Sequence, residues 1–219
     1  MNILGIDPGT TKTGITHITG TPKKPKFDVD LIGYDCLPTE TPKIDDRLLY
    51  ILPLLIERIE KIRPELVIYE YPFNVKGNGR VLLEFIGVFR YHCIKNGIPY
   101  IPLQQQRIKK YATGKGNVEK SDLRMRIFTE YGIDLSEDRS DAFWIGHFGM
   151  GYLYPEALDK QFRIDSINAM KTPKIKKAFV PKPDQPKNSP DKKELAKLIR
   201  KAAAWDARKA GKKRKRETI

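Results

Sequence analysis

The sequence has few of the residues that mark several common classes of protein. It contains only two cysteines, Cys36 and Cys93, which are far apart and indicate neither a disulfide framework nor a cysteine-based zinc site. Its three histidines, His17, His92 and His147, share no metal-ligand spacing. No apolar run approaches the roughly 20 residues of a membrane-spanning helix. The N-terminus lacks the basic stretch and long apolar core of a secretory signal, so we expect an intracellular protein.

Most of the chain also lacks an excess of either charge, although the net charge is +14. Residues 171–219 contain 18 Lys and Arg against 5 Asp and Glu, which is a balance of +13. The first 170 residues therefore carry only +1. A basic tail of this kind favours phosphate groups or anionic surfaces.

Apolar runs and their periodicity predict an α/β fold. Strands are expected near residues 2–7, 13–19, 30–36, 66–70 and 99–103, and helices near 44–62, 80–96, 104–112, 119–131 and 138–153. Three strands followed by alternating helices and strands match an RNase H-like mixed five-stranded sheet flanked by helices. Functional groups in such sheets gather at the carboxyl ends of strands and on the loops that follow.

The chain is expected to divide into three parts. Residues 1–160 have the apolar content of one folded domain. Residues 161–190 are rich in proline and lysine and predict an extended linker. Residues 191–219 predict a basic helix and tail, which is a basic C-terminal extension of the domain.

Four carboxylates in three separate segments are the most informative feature of the domain. Asp7 follows the strand-like ILGI, Glu70 ends LVIYE, and Asp138 and Asp141 lie three residues apart at the start of a predicted helix. Carboxylates gathered in this way bind pairs of Mg²⁺ ions that hydrolyse phosphodiesters, so the pattern indicates a nuclease. The alternatives for single acids are a turn cap at Asp7, a solvent-facing strand end at Glu70 and helix-dipole partners at the aspartates.

A basic patch between residues 107 and 126 is the best candidate for a DNA-binding surface. Its members are Lys109, Lys110, Lys115, Lys120 and Arg124. It includes a glycine-containing loop, residues 113–117, whose amides are suited to a phosphate. The alternative is a solvated charged helix. Phe73, three residues after Glu70, is either a core residue or an exposed wedge that stacks on an unpaired base.

Four segments in register resemble the RuvC-type Holliday junction resolvases over roughly residues 1–155. They are ILGIDPGTTKTG, Glu70 with Phe73, IKKYATGKGNVEKSDLR, and the D-x-x-D of Asp138 and Asp141. Members of this family are homodimeric, Mg²⁺-dependent endonucleases with an RNase H-like fold that place symmetric nicks in four-way DNA junctions.

The resemblance implies a role for each matching residue. Asp7, Glu70, Asp138 and Asp141 would hold two Mg²⁺ ions, for which Mn²⁺ would substitute, with Asp7 between them. Lys109 and Lys120 would contact DNA phosphate near the cut, and Lys120 is therefore a catalytic candidate. Phe73 would lie at the open centre of the junction. We expect all three histidines to be structural, and His147, two turns beyond Asp141, is the only one placed to approach this site.

The chain departs from the family pattern in three places. Arg139-Ser140 separates the two aspartates where small apolar residues are expected, and Tyr71-Pro72 follows Glu70 where polar or small residues are more frequent. The basic extension beyond about residue 165 is not part of the usual bacterial core. Such departures favour a phage or mobile-element resolvase.

These observations leave several functions open. A broader branch or flap endonuclease of the same fold, a non-catalytic junction-binding protein and an actin-like ATPase are the alternatives to a resolvase, and the last lacks a second nucleotide-binding motif. We expect a cytoplasmic location, in a bacterium or an infected host cell. Residues 212–216 also fit a nuclear localisation signal if the source is eukaryotic or a virus of eukaryotes.

Overall fold

The fold is built on a mixed five-stranded sheet. A computed structural model describes residues 1–33, 43–72 and 79–170. The strands are β1 (Ile3–Asp7), β2 (Lys12–Thr21), β3 (Lys24–Gly33), β4 (Leu66–Glu70) and β5 (Tyr100–Leu103). Their spatial order is β3-β2-β1-β4-β5, with β1 antiparallel to β2 and parallel to β4. The predicted α/β fold with a central first strand is confirmed.

The β2–β3 hairpin differs from the prediction. We expected a turn over residues 20–26 and a third strand at 30–36, whereas β3 begins at Lys24 and ends at Gly33. The turn is tight because Gly20 adopts a left-handed backbone conformation with φ of 88° and Lys24 N donates a hydrogen bond to Thr21 Oγ1 at 3.2 Å. Pro22 and Lys23 form the turn, whereas Lys24, Pro25 and Lys26 lie on an edge strand, where such residues interrupt no interior ladder.

Two helices cover one face of the sheet. They are α1 (Ile44–Ile62) and α2 (Gly79–Lys95). The first turn of α1 carries two acids, Asp45 and Asp46, and its last turn carries Lys61, which matches the helix dipole. Apolar side chains of both helices pack on β1 and β4 in one buried cluster, whose helical members include Ile51, Leu55, Ile59, Phe85 and Phe89.

The other face is covered by α5 (Glu137–Leu153), which packs on the central strands. Helices α3 (Gln105–Thr113) and α4 (Lys120–Tyr131) flank it. A Cβ atom on Gly5 of β1 would lie 2.4 Å from the backbone nitrogen of Gly146, so helix and strand backbones are in contact there. This approach seats α5 directly over β1.

A sixth helix continues the domain where a linker was predicted. Residues Gln161–Asn168 form α6, which packs against α3 and α5. Its Arg163 is fully buried, and the Arg163 Nη2 and Glu130 Oε2 atoms are 2.5 Å apart. The predicted linker start at residue 161 is therefore wrong, because a buried ion pair holds this segment on the domain. The rest of the predicted linker and the basic helix of residues 191–219 lie outside the described residues.

In the described ranges, no helix has the length and apolar content needed to cross a membrane.

Candidate active site

Two of the predicted acids meet at one edge of the sheet. Strands β1 and β4 are parallel, with Ile6 beside Tyr69, so Asp7 and Glu70 are the next residues of neighbouring strands. Glu70 also pairs with Leu103 of β5. The parallel pairing brings the two carboxylates to the same end of the sheet, as the sequence predicted.

Helix α5 brings the other two acids to this edge. A Cβ on Gly14, the β2 partner of Asp7, would lie 2.9 Å from the Asp138 carbonyl oxygen and 3.4 Å from the Asp7 Cβ. Glycine at position 14 therefore allows the first turn of α5 to approach Asp7. Asp138 itself is exposed, and Asp141 is buried.

Lys120, the first residue of α4, forms an ion pair with one of these acids. Its Nζ lies 2.8 Å from Asp141 Oδ2. The hydrogen bond to Asp141 raises the pKa of Lys120, so the ammonium remains charged. This is the catalytic candidate of the basic patch, and the structure places it among the acids.

The clustered acids raise one another's pKa values. Burial, followed by the charges of Glu70 and Asp141, raises the pKa of Asp7 well above its ordinary value. Burial and the Asp141 charge raise the pKa of Glu70 to about 7, although Lys120 and Lys109 lower it. Such a cluster lacks enough positive charge, and cations would favour its ionised form.

The donor set fits a hard divalent cation. Among the described residues, no three acidic, histidine or cysteine side chains form a ready-made set of metal ligands. Asp7, Glu70, Asp138 and Asp141 nevertheless interact electrostatically, and all offer carboxylate oxygens, which Mg²⁺ and Mn²⁺ prefer. The Lys120 ammonium occupies Asp141 in the free protein, and side-chain rotation would bring the carboxylate oxygens to ligand distances.

Lys109 organises the loop that leads into α4. Its Nζ donates a hydrogen bond to the carbonyl oxygen of Val118 at 2.7 Å, while its charge lowers the pKa of Glu70. Thr113 donates to the carbonyl oxygen of Lys109 at 2.9 Å and accepts a hydrogen bond from the Lys115 amide at 3.2 Å. The side chains of Lys109 and Thr113 therefore hold the predicted phosphate loop.

Comparison with known proteins decides the family. A family model described as crossover junction endodeoxyribonuclease RuvC matches residues 3–143, which is more than half of the chain. The chain belongs to the RuvC family. Similar curated RuvC proteins include those of Synechococcus sp., at 27% identity over 65% of this chain and 91% of the relative, and Bifidobacterium adolescentis, at 30% identity over 65% and 74%.

Solved RuvC structures share the fold. Thermus thermophilus RuvC matches with a TM-score of 0.57 and 20% identity, over 71% of this chain and 97% of that one. A second structure, T. thermophilus RuvC in complex with a Holliday junction substrate, gives the same TM-score and identity over 76% and 97%. At this identity the likeness establishes the architecture alone.

The remaining DNA-binding candidates of this RuvC-family chain differ in their surroundings. Lys110 and Lys115 are exposed. Arg124 donates from Nε and Nη2 to Asp134 Oδ1, at 3.1 and 2.7 Å, so an acid already occupies it. Phe73 lies outside the described residues.

His147 has a structural role, as expected, and is directed away from the acids. Its Nδ1 is hydrogen-bonded to the Tyr111 hydroxyl at 2.8 Å and its Nε2 to the Tyr131 hydroxyl at 2.5 Å. Burial, helped by the charge of Arg163, lowers the pKa of His147 to about 3. Two turns of α5 separate it from Asp141 and direct it into an aromatic cluster.

Sequence reasoning missed the glycines that bring α5 to the sheet. Gly5 and Gly14 on the strands face Gly146 and Ala142 on the helix. The available signal was the spacing of the small residues Ala142, Gly146 and Gly149, which puts them on one face of the helix.

Proposed function

We propose that this RuvC-family chain is a metal-dependent DNA endonuclease that resolves four-way (Holliday) junctions by symmetric nicking. The observation that carries the proposal is the meeting of Asp7, Glu70 and the first turn of α5 at one edge of the sheet. Family membership supplies the reaction class, because the matching model is that of a crossover junction endodeoxyribonuclease.

The proposed metal ligands are Asp7, Glu70, Asp138 and Asp141. Two Mg²⁺ ions held by these acids, or Mn²⁺ in their place, would activate a water and stabilise the leaving oxygen of the phosphodiester. The raised pKa values of Asp7 and Glu70 support a cationic partner, since an ionised pair in a partly buried site requires compensating charge.

The basic residues hold the DNA in this proposal. Lys120 is close enough to the acids to contact the phosphate that is cut, and its compact ammonium suits a crowded site. Lys109, Lys110, Lys115 and Arg124 would contact the backbone nearby. Phe73 would stack at the junction centre, a role that rests on the sequence alone.

A homodimer would match the two-fold symmetry of a four-way junction. We place its interface at α2, together with the adjacent part of α1, because large apolar side chains there are exposed. Leu49 is 75% exposed, Tyr91 65% and Val88 43%. Contiguous exposed apolar surface of this kind marks protein interfaces.

We further propose that the basic residues 171–219 add sequence-independent affinity for DNA. The curated relatives reported above are bacterial, which agrees with action in the cytoplasm of a bacterium or an infected host cell. They give no support to the nuclear alternative.

The decisive experiment is cleavage of a labelled synthetic four-way junction beside matched duplex, flap and Y-fork DNA, with Mg²⁺ or EDTA. We expect paired nicks at symmetric positions, in Mg²⁺ only. Asp7→Asn should abolish nicking and retain junction binding, because it removes one charge without changing shape. Lys24→Gln, at the far end of the β2–β3 hairpin, is the matched control and should nick normally.

Other outcomes would redirect the proposal. Equal cutting of flaps and forks would replace a resolvase with a general branch nuclease. Tight junction binding without nicking in any divalent metal would leave a binding protein. Nicking that survives in EDTA would exclude a metal-dependent reaction.

A further inference from the structure

The two residues between Asp138 and Asp141 are used differently. Ser140 is 1% exposed, and its hydroxyl donates to the Ser136 carbonyl at 2.8 Å, which completes the first turn of α5. Arg139 is half-buried, and its Nε is buried without a hydrogen-bond partner among the described residues. The polar group of Ser140 is therefore hydrogen-bonded within the helix, whereas the Nε of Arg139 is not.

Neighbouring acids do not account for Arg139 either. Asp138 and Asp141 are one and two positions away, and residues at these spacings do not face each other on a helix. Two other cations of this region have carboxylate partners within the described chain: Lys120 at 2.8 Å and Arg124 at 2.7 Å. Arg139 forms no such pair in the same described part.

The helix itself disfavours a cation at this position. Arg139 lies in the first turn of α5, where the helix dipole favours negative charge. A buried N–H donor without an acceptor is an additional cost. Arg47, Arg90 and Arg163 also have a buried Nε without a partner, but another nitrogen of each guanidinium is hydrogen-bonded. A guanidinium with no partner in the described structure, beside a proposed active site, indicates an acceptor that comes from a ligand.

Arg139 lies on the same face of α5 as Phe143, which is four residues later. The Phe143 ring packs on Phe27 of β3, with centroids 4.8 Å apart, and on Tyr131 of α4, with centroids 5.2 Å apart. Arg139 is therefore in the first turn of α5, next to Asp138, on the helix face that is directed toward β3 and the end of α4.

We propose that Arg139 binds a phosphate of the DNA strand that enters the acid cluster. The inference rests on the proposed nuclease function and deepens it, since it adds a backbone contact from the first turn of α5 to those of Lys109 and Lys120. Guanidinium donors match phosphate oxygens in a fixed planar geometry, which a lysine does not reproduce.

The test compares wild type with Arg139→Gln and Arg139→Lys, and uses Lys24→Gln as the control. Binding of a labelled four-way junction is measured in EDTA over a series of NaCl concentrations. We expect Arg139→Gln to bind about tenfold more weakly, as for the loss of one charge-assisted contact. Its slope of log K against log salt should fall by about one, and Lys24→Gln should match wild type.

Neutral methylphosphonates, placed singly at phosphates flanking the cut, then locate the contact. One position should weaken wild type and have no effect on Arg139→Gln, with Arg139→Lys between the two. Thermal unfolding of the variant should equal that of wild type, because the described structure gives Arg139 no hydrogen bond.

Three results would overturn the proposal. They are unchanged binding by Arg139→Gln, an equal loss in Lys24→Gln, and a lowered unfolding temperature that assigns Arg139 to the fold. Failure of the proposed function has a different signature, because wild type itself would then neither select nor nick the junction.

Discussion

Lys120 Nζ and Asp141 Oδ2 lie 2.8 Å apart, so the acid cluster contains its own counter-ion. The lysine side chain is 44% exposed and the aspartate 12%, which leaves the ammonium accessible to a phosphate while Asp141 stays buried. A cation that neutralises the acids in the free protein and contacts DNA in the complex fits the proposed nuclease. The first prediction follows from this dual position.

Lys120→Gln should destabilise the metal-free protein. Removal of the ammonium leaves Asp141 unpaired beside Asp7 and Glu70. This should lower the free energy of unfolding by about 1–2 kcal/mol, less than for a fully buried pair because water screens the half-exposed Lys120. Mg²⁺ should restore most of this loss without restoring nicking. The measurement is chemical denaturation at pH 8 in EDTA and in Mg²⁺.

Lys115→Gln removes an exposed lysine of the preceding loop and serves as the control for the loss of charge. If Lys120→Gln and Lys115→Gln unfold alike in EDTA, the Lys120–Asp141 pair contributes nothing to the stability of the cluster.

Metal-free stability should fall as the pH rises from about 4.5 to about 7. The pKa of Glu70 is raised from 4.5 to about 7 in the folded protein. Between these two values the unfolded chain has lost this proton and the folded chain still binds it, so a rise in pH lowers the free energy of unfolding. The fall amounts to roughly 3 kcal/mol at most. Denaturation in EDTA at pH 5, 6, 7 and 8 measures it.

Glu70→Gln should flatten this pH dependence, and so should saturating Mg²⁺ in wild type. The control is Glu84→Gln, which changes an exposed glutamate of α2. A wild-type stability that rises with pH across the same window would contradict the raised pKa of Glu70.

Gly5→Ala should destabilise the fold by about 3 kcal/mol, because the new methyl group would lie 2.4 Å from the backbone of Gly146 and neither backbone can move away cheaply. Displacement of α5 would also separate Asp141 from Asp7 and lower the nicking rate. Thermal unfolding and junction cleavage are measured together.

Gly87→Ala is the matched control for this substitution. No atom lies within 4 Å of the new Cβ, and alanine in the α2 helix should stabilise by about 1 kcal/mol. If Gly5→Ala unfolds at the wild-type temperature or above it, the close contact of α5 with β1 is not part of the folded protein.

Arg163→Met should destabilise by roughly 3 kcal/mol, because it removes a fully buried guanidinium from Glu130, whose other partner is Arg126 Nε at 3.1 Å. The guanidinium also lies over the Trp144 ring at 4.9 Å, so packing is lost as well. The double variant Arg163→Met with Glu130→Met should recover part of the loss, since the carboxylate is then removed and the charge left over, Arg126, is 36% exposed. Chemical denaturation of the three proteins tests the pair.

Truncation provides a second measure of α6. A chain that ends at residue 160 should unfold at a much lower temperature than one that ends at residue 170, whose α6 is intact. Equal unfolding temperatures would restore residue 160 as the end of the domain.

The sequence predicted most of the helices and strands, but it misplaced β3 and missed α6. Buried runs such as Ile3–Asp7 and Leu66–Glu70 carry a strong local signal, and both strands and five of the helices were expected within a few residues of their observed bounds. β3 was predicted too late in the chain because its turn depends on the conformation of Gly20, and because the lysines at its start are typical of loops. α6 was missed because Arg163 looks solvent-exposed until Glu130 and Trp144 surround it.

Local sequence by itself determined the chemistry that this protein has available: four carboxylates at strand ends and a helix start, and a basic segment before α4. Tertiary structure alone decided which groups meet. Glycines with no side chain bring α5 to the sheet, Lys120 pairs with Asp141 across two helices, and His147 points into an aromatic cluster. Residue type fixes charge and donor atoms, whereas proximity depends on the packing of segments that are distant in the chain.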